Sequence, residues 1–189
     1  MPHKFDPKHK EKLDSEKRRE IFKPNEILNK LLLQKGYDVA DIGCGTGFFS
    51  IPAAKIIGEN NKVYASDISE EMLDVVKEKI EKENINNIEL IKGTEYDSPV
   101  GEVDYIILSN IFHEVADKDK FLKNYLAYLR NNGLISFIEW KKKDTEEGPP
   151  YKDRLDSEEL ISIVEEKGLV VVDKIDINET HYGLVVRKI

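Results

Sequence analysis

The chain has 189 residues, 40% of them hydrophobic and 8% aromatic, which suits one globular domain with a sizeable core and lies outside the composition of disorder. With 37 acidic against 29 basic residues the formal charge is −8, so no overall positive field draws phosphate backbones to the surface, and DNA and RNA are disfavoured as partners. The single cysteine, Cys44, excludes an internal disulfide framework and a thiolate metal cluster, so no metal site is expected.

Met1 to Glu20 is rich in Lys, Glu, Asp and His without an apolar run, so neither a signal peptide nor a membrane anchor is expected there, and the cytoplasm is the expected compartment. The stretch before Tyr37 reads as two helical pieces broken near Phe22-Lys23-Pro24, with Ile27, Leu28, Leu31 and Leu32 on one side of the second. Within a single domain over 1–189, residues 1–35 are expected to form a helical cap or lid, using Phe5, Leu13 and Phe22.

From about Gly36 short apolar runs alternate with helical patterns, the signature of βαβ units feeding a parallel sheet. The strand candidates are Tyr37–Ile42, Val63–Ser66, Ile88–Lys92, Val103–Leu108, Leu134–Trp140, Leu169–Asp176 and Tyr182–Lys188. Between them, Ser69 is placed to cap a helix Glu70–Glu83 with Met72, Leu73, Val76 and Ile80 on one face. Asp117 is placed to cap Lys118–Arg130, and Asn131-Asn132-Gly133 to stop it in the left-handed region. Asp156 with Glu159 forms a capping-box pattern for a helix ending at Gly168. Ile177 to His181 is too short for a helical crossover, so the last two strands are expected as an antiparallel hairpin at one edge. The basic run Lys141-Lys142-Lys143 reads as a solvated loop, offset by Asp144, Glu146 and Glu147.

Val39-Ala40-Asp41-Ile42-Gly43-Cys44-Gly45-Thr46-Gly47 joins the first strand to a helix beginning near Phe48, where doubly wound sheets bind nucleotides. Gly43 lets the strand turn, Gly45 lets bare backbone approach a ligand, and Gly47 permits close packing of the helix. The helix N-terminus, in which Pro52 is tolerated, favours an anionic group such as a carboxylate. Asp67, about twenty residues on, closes the second strand, where an acid can accept from both ribose hydroxyls. The third glycine stands at 47, whereas dinucleotide folds require it one place later, at Phe48, which counts against NAD.

These residues resemble the class I, Rossmann-like S-adenosylmethionine-dependent methyltransferases, particularly the small ubiquinone/menaquinone-type group. Asp41-Ile42-Gly43-Cys44-Gly45-Thr46-Gly47 matches that family's first motif, and similarity extends through Asp67, Val103–Leu108, Asn110-Ile111-Phe112-His113-Glu114-Val115 and Leu129–Leu134, from about Gly36 to the C-terminus. The resemblance implies a doubly wound, mostly parallel seven-stranded α/β sheet of order 3-2-1-4-5-7-6, strand 7 antiparallel, with helices on both faces. It implies S-adenosylmethionine as cofactor, S-adenosylhomocysteine as product, and cofactor contacts from Asp41, Gly43, Cys44, Gly45, Gly47, Asp67, Ile68, Met72, Thr94, Glu95 and Asn110. In that scheme the glycine loop holds the methionine part, Asp67 the ribose, and Ile68 and Met72 the adenine face; core packing serves Met72 as readily. The family's acid after the third strand is replaced by Thr94, so Glu95, or a backbone N–H near it, is expected to serve the adenine amino group.

Methyl transfer from a sulfonium needs alignment above all, and a base only where the acceptor loses a proton. His113, just past the fourth strand, is the candidate base, with a structural hydrogen-bonding role as the alternative; Glu114 is expected to face solvent. Glu139, Trp140, Tyr151 and Arg154 mark the expected substrate loop, Arg154 either gripping an acceptor carboxylate or pairing with Asp153 or Asp156. No Asn/Asp-Pro-Pro-aromatic sequence follows strand four, no Pro-Cys occurs, and one cysteine cannot serve arsenite chemistry, so a small-molecule acceptor remains. An NAD-dependent oxidoreductase and a non-catalytic cofactor-binding scaffold are the competing readings, and the sequence leaves the oligomeric state open.

Overall fold

The computed structural model describes residues 20–189. Its elements in chain order are α1 (Pro24–Lys30), β1 (Val39–Ile42), α2 (Ser50–Ile57), β2 (Val63–Asp67), α3 (Glu70–Glu83), β3 (Ile88–Lys92) and β4 (Val103–Ser109). A 3-10 turn (Phe112–Glu114) leads to α4 (Lys118–Tyr128) and β5 (Leu129–Trp140); a second 3-10 turn (Tyr151–Asp153) leads to α5 (Ser157–Glu166), β6 (Leu169–Asp176) and β7 (His181–Lys188). All seven strands join one sheet of order β3-β2-β1-β4-β5-β7-β6. The first five strands are parallel, and β7 is antiparallel to both β5 and β6, as the short Ile177–His181 connection requires.

Alternation along the strands divides the core in two. Ala40, Ile42, Ile106, Leu108, Ile135, Phe137, Leu184 and Val186 pack against the apolar stripes of α4 and α5. Val39, Tyr105, Ile107, Leu134, Ile138 and Val185 pack on the opposite face against Leu28, Leu31, Phe48, Phe49 and Ile57. With helices on both faces, β1 is buried at all four positions, which is why it reads as an uninterrupted apolar run apart from Asp41. Topology thus brings the carboxyl ends of β1, β2, β4 and β5 to one edge, where doubly wound sheets place their ligands.

Local chemistry explains where the boundaries differ from expectation. Tyr37 and Asp38 precede β1, and β7 starts one residue early, at His181. The helix α2 starts at Ser50, beyond the Phe48 expected, because the glycine loop continues through residue 47. Ser69 stands at the N-cap of α3, yet its side chain caps nothing; the Ser69 N–H instead donates to Asp67. Asp117 does cap α4, accepting from the Lys120 N–H, and Asp156 with Glu159 completes its capping box on α5, which ends at Glu166 with Gly168 left-handed just beyond. The largest departure is at Asn131-Asn132-Gly133. α4 ends at Tyr128 and the chain passes directly into β5, where these residues form an irregularity: Leu129 pairs with Val103 and Leu134 with Tyr105. Asn132 is the left-handed residue, and Gly133 is needed because a Cβ there would lie 2.6 Å from Leu129.

The described residues before β1 pack on one face of the sheet. The break near Phe22-Lys23-Pro24 is present, with Lys23 left-handed and Pro24 opening α1; Ile27, Leu28 and Leu31 are buried, while Leu32, itself left-handed, is only partly so. Phe22 packs on Phe48 and His181, whereas Phe5 and Leu13 lie outside the described residues. The carbonyl of Leu31, left without a helical donor at the end of α1, accepts from the buried Tyr105 hydroxyl at 2.6 Å. Removing that donor leaves a buried carbonyl unsatisfied, so Tyr105→Phe is expected to lower stability by about 1–3 kcal/mol, read as a lower urea midpoint with unchanged slope.

Candidate active site

Three left-handed glycines, Gly43, Gly45 and Gly47, carry the chain from β1 to α2. Positive φ admits few side chains, and space excludes them as well: a Cβ on Gly43 would meet Ile111 at 2.6 Å, and one on Gly47 would meet Val76 of α3 at 3.2 Å. Gly47 therefore serves the packing of the loop on α3 as well as on α2. The Gly43 and Cys44 N–H groups donate to the Ser66 carbonyl, and the Gly45 N–H donates to Asp67 Oδ2 at 2.8 Å. The other Asp67 oxygen accepts from the Ser69 N–H at 2.8 Å, so one carboxylate ties the loop to the start of α3. Burial raises the Asp67 pKa, against the lowering effect of these backbone donors.

Asp41 lies beneath the same loop, fully buried, accepting from Ser50 Oγ at 2.5 Å. Burial pushes its carboxyl up to about 7, with the nearby Asp67 charge adding to the rise and Ser50 opposing it. The first backbone N–H of α2, at Ser50, also donates to Asp41, so the protein's own acid serves the helix start that sequence reasoning reserved for a ligand. Cys44 is buried, and burial followed by the charges of Asp41 and Asp67 holds its thiol protonated.

Around this loop the expected cofactor residues separate. Ile68 is 53% exposed at the carboxyl edge and open to a ligand face, whereas Met72 is buried. The Thr94 N–H donates to the Asp97 carbonyl at 2.7 Å, so it is taken up within its own turn and does not point outward as a donor. Glu95 reaches across to the Ala116 N–H and the Tyr96 hydroxyl. Asn110, left-handed at the end of β4, donates its N–H to Ile138 of β5, and its buried Oδ1 has no partner among the described residues. Thr46 Oγ1, in the glycine loop, is likewise buried and unpartnered.

The next turn brings His113 to Glu139. His113 Nδ1 lies 2.6 Å from Glu139 Oε2, while Glu139 Oε1 accepts from the Phe112 N–H at 2.9 Å and the His113 N–H at 3.3 Å. Glu139 is 0% exposed, so it holds the histidine and does not line the substrate loop as the sequence suggested. Burial depresses the His113 pKa, but the charge and hydrogen bond of Glu139 outweigh it and the net shift is upward. Glu114 does not simply face solvent: it is partly covered, 3.9 Å from His113 Nε2. An acid at the end of the apolar run Leu134–Trp140 was the signal for this pair, because a carboxylate in a buried strand requires a partner.

Arg154 is the clearest correction. It is 4% exposed and neither grips an open cleft nor pairs with Asp153 or Asp156. Its guanidinium donates to the carbonyls of Pro149, Lys141, Lys143 and Glu147 and to Thr145 Oγ1, cross-linking the loop after β5 from within. Trp140 is wedged into that loop, with His181 4.1 Å away, Arg154 5.1 Å away and left-handed Gly148 against its ring. Tyr151, 51% exposed, does stand out from the loop. The lysine run pairs outside the acids expected: Lys141 with Asp176, Lys142 with Glu159 and Lys143 with Glu179.

A family model described as a methyltransferase domain matches residues 33–179. The chain belongs to this methyltransferase family. In its order of strands it is a class I, Rossmann-like S-adenosylmethionine-dependent methyltransferase domain. A crystal structure of a SAM-dependent methyltransferase from Aquifex aeolicus is 32% identical, covers 98% of this chain and 100% of that one, and superposes with a TM-score of 0.93. The demethylmenaquinone methyltransferase of Listeria welshimeri is 33% identical over 116 residues, covering 60% of this chain and 49% of that protein. The ubiquinone/menaquinone biosynthesis C-methyltransferase of Haemophilus ducreyi is 31% identical over 113 residues, covering 58% of this chain and 44% of that protein. The chain thus spans about half the length of the curated relatives it matches. Membership of this family sets aside the NAD reading, in agreement with Phe48 where a dinucleotide loop needs glycine.

The residues of this methyltransferase domain fit its family's cofactor, since two buried acceptors without partners, Asn110 Oδ1 and Thr46 Oγ1, flank a glycine-lined turn beside an acid at the second strand's end. Asp67→Ala is expected to weaken S-adenosylmethionine binding by about a hundredfold, the worth of two charge-assisted hydrogen bonds, as read by calorimetry on protein shown to be folded. Asp41 supplies a test without ligand. Its folded pKa lies above its unfolded one, so ionisation opposes folding, and stability falls as pH rises from about 4 to about 7. Asp41→Asn is expected to flatten that decline and to be more stable than the wild type at pH 8, by at most about 4 kcal/mol; an unchanged slope of stability with pH would contradict the assignment.

Proposed function

We propose that this chain transfers a methyl group from S-adenosylmethionine to a small-molecule acceptor whose reacting hydroxyl or amine gives its proton to His113. The observation that carries the reading is the buried His113–Glu139 pair, just beyond Ile111, which lies against Gly43 of the glycine loop. Glu139, as a carboxylate, accepts the Nδ1 proton, so the Nε2 lone pair is the one turned toward the acceptor. When Nε2 takes up a proton, the resulting imidazolium is stabilised by the buried Glu139 carboxylate at 2.6 Å. Such a positioned base contributes about 10²–10⁴ in rate.

Bound S-adenosylmethionine supplies the electrophilic methyl of a sulfonium. In this reading Asp67 holds the ribose hydroxyls, the loop at Gly43, Gly45 and Gly47 leaves room for the amino-acid portion, Asn110 Oδ1 accepts from its ammonium, and Ile68 covers the adenine. Tyr151 borders the acceptor's entry, and the 20–35 segment, with Phe22 on His181, caps that end of the sheet. Among the described residues no helix is long and apolar enough to cross a membrane. Together with a single buried cysteine, this supports a cytoplasmic place of action.

Incubation with methyl-labelled S-adenosylmethionine and fractionated metabolites tests the activity: transfer of label to a small molecule is expected, and binding without any transfer would mark a scaffold instead. His113→Ala is expected to lower kcat by about 10²–10⁴ while cofactor affinity stays unchanged, and an undiminished kcat would remove the base. In the wild type the ascending limb of kcat against pH is expected above the ordinary histidine value of about 6.5; Glu139→Gln, by removing the charge that raises it, shifts that limb to lower pH.

A further inference from the structure

Beside His113 a cleft of about 800 Å³ opens between the start of α4, the loop after β5 and α5. Its charged lining is unusual for a chain of net charge −8: Lys118, Lys142, Lys152 and Arg154 stand against Asp153 and Glu159. Two of the four cations are already committed. Arg154 spends its donors inside the loop, and Lys142 sits 3.0 Å from Glu159, whose carboxylate also accepts from the Asp156 N–H.

Lys118 and Lys152 differ from these. The Lys118 ammonium donates to the Val115 carbonyl at 2.9 Å and lies 5.5 Å from the Phe112 ring, and no carboxylate stands within ion-pair distance of it among the described residues. Partial burial lowers its pKa, the mark of an ammonium short of water, with the more distant Glu139 opposing the shift. Lys152, on the exposed 3-10 turn after β5, also makes no ion pair among the described residues. Leu155 and Ile163 are the aliphatic residues of the lining, beside the charged side chains.

We infer that the methyl acceptor carries an anionic group, a carboxylate or a phosphate, which Lys118 and Lys152 bind in this cleft while the reacting atom faces His113. The inference rests on the reading of His113 as the base, and it separates this chain from the quinone chemistry in its relatives' names. Lysine suits the task as a compact charge with several donors, and Lys118 has two N–H groups beyond the one it gives Val115.

Titration of the full chain with benzoate, phenyl phosphate and neutral benzyl alcohol, each with and without S-adenosylhomocysteine, tests it. Both anions are expected to bind and the alcohol not; Lys118→Gln and Lys152→Gln each weaken the anions by about tenfold, the worth of one charge-assisted hydrogen bond, and leave S-adenosylhomocysteine affinity unchanged. Added salt weakens the anions in step. No anion binding, equal binding of the alcohol, or unchanged anion affinity in both variants overturns the inference, as does methylation of a neutral polyprenyl quinol at full rate by the double variant. Absence of S-adenosylhomocysteine binding to the wild type strikes the methyltransferase reading instead, and the cofactor-free titrations still decide the anion site.

Discussion

The Asp67 carboxylate holds the carboxyl edge of the sheet together. Its two oxygens take the N–H of Gly45 and the N–H of Ser69, so a single side chain at the end of β2 ties the loop after β1 to the start of α3. Without it the left-handed turn at Gly45 would have a backbone donor facing the interior unpaired, a cost of the same order as a lost hydrogen bond. The shape of the cofactor loop and the placement of the acid beside it are therefore one feature.

Two fully buried carboxyl groups repeat this arrangement. Asp41 takes the hydroxyl and N–H of Ser50 at the start of α2, and Glu139 takes the N–H groups of Phe112 and His113 in the turn after β4. Each acid pins a backbone turn at the edge where a ligand enters. Acids held on backbone N–H groups in this way set the shape of the edge before a ligand arrives. The sulfonium chemistry of the family suits such an edge, since the cofactor brings a positive charge to a rim rich in carboxylates.

Much of the frame was legible along the chain. Apolar runs separated by helical stripes implied a parallel sheet, the short Ile177–His181 link implied an antiparallel hairpin, and the caps at Asp117 and Asp156 were written in local side chains. These features depend on neighbours a few residues apart, which is why pattern suffices. The reading failed where a local signal had a non-local competitor. The Asn131-Asn132-Gly133 stop became a strand irregularity because β4 offered Leu129 a partner.

The sequence by itself determined the order of the elements and the glycine turn with its acid, since these rest on period, spacing and the conformational freedom of glycine, and the motifs so placed carried the resemblance to the family. Only the tertiary structure decided the partners of charges. Glu139 and His113 lie 26 residues apart and meet because Ser109 pairs with Ile138; Arg154 turns inward because the Gly- and Pro-containing loop around it leaves carbonyls without donors. Which cations remain for a ligand follows from that pairing, a property of distances in space that no one-dimensional pattern encodes.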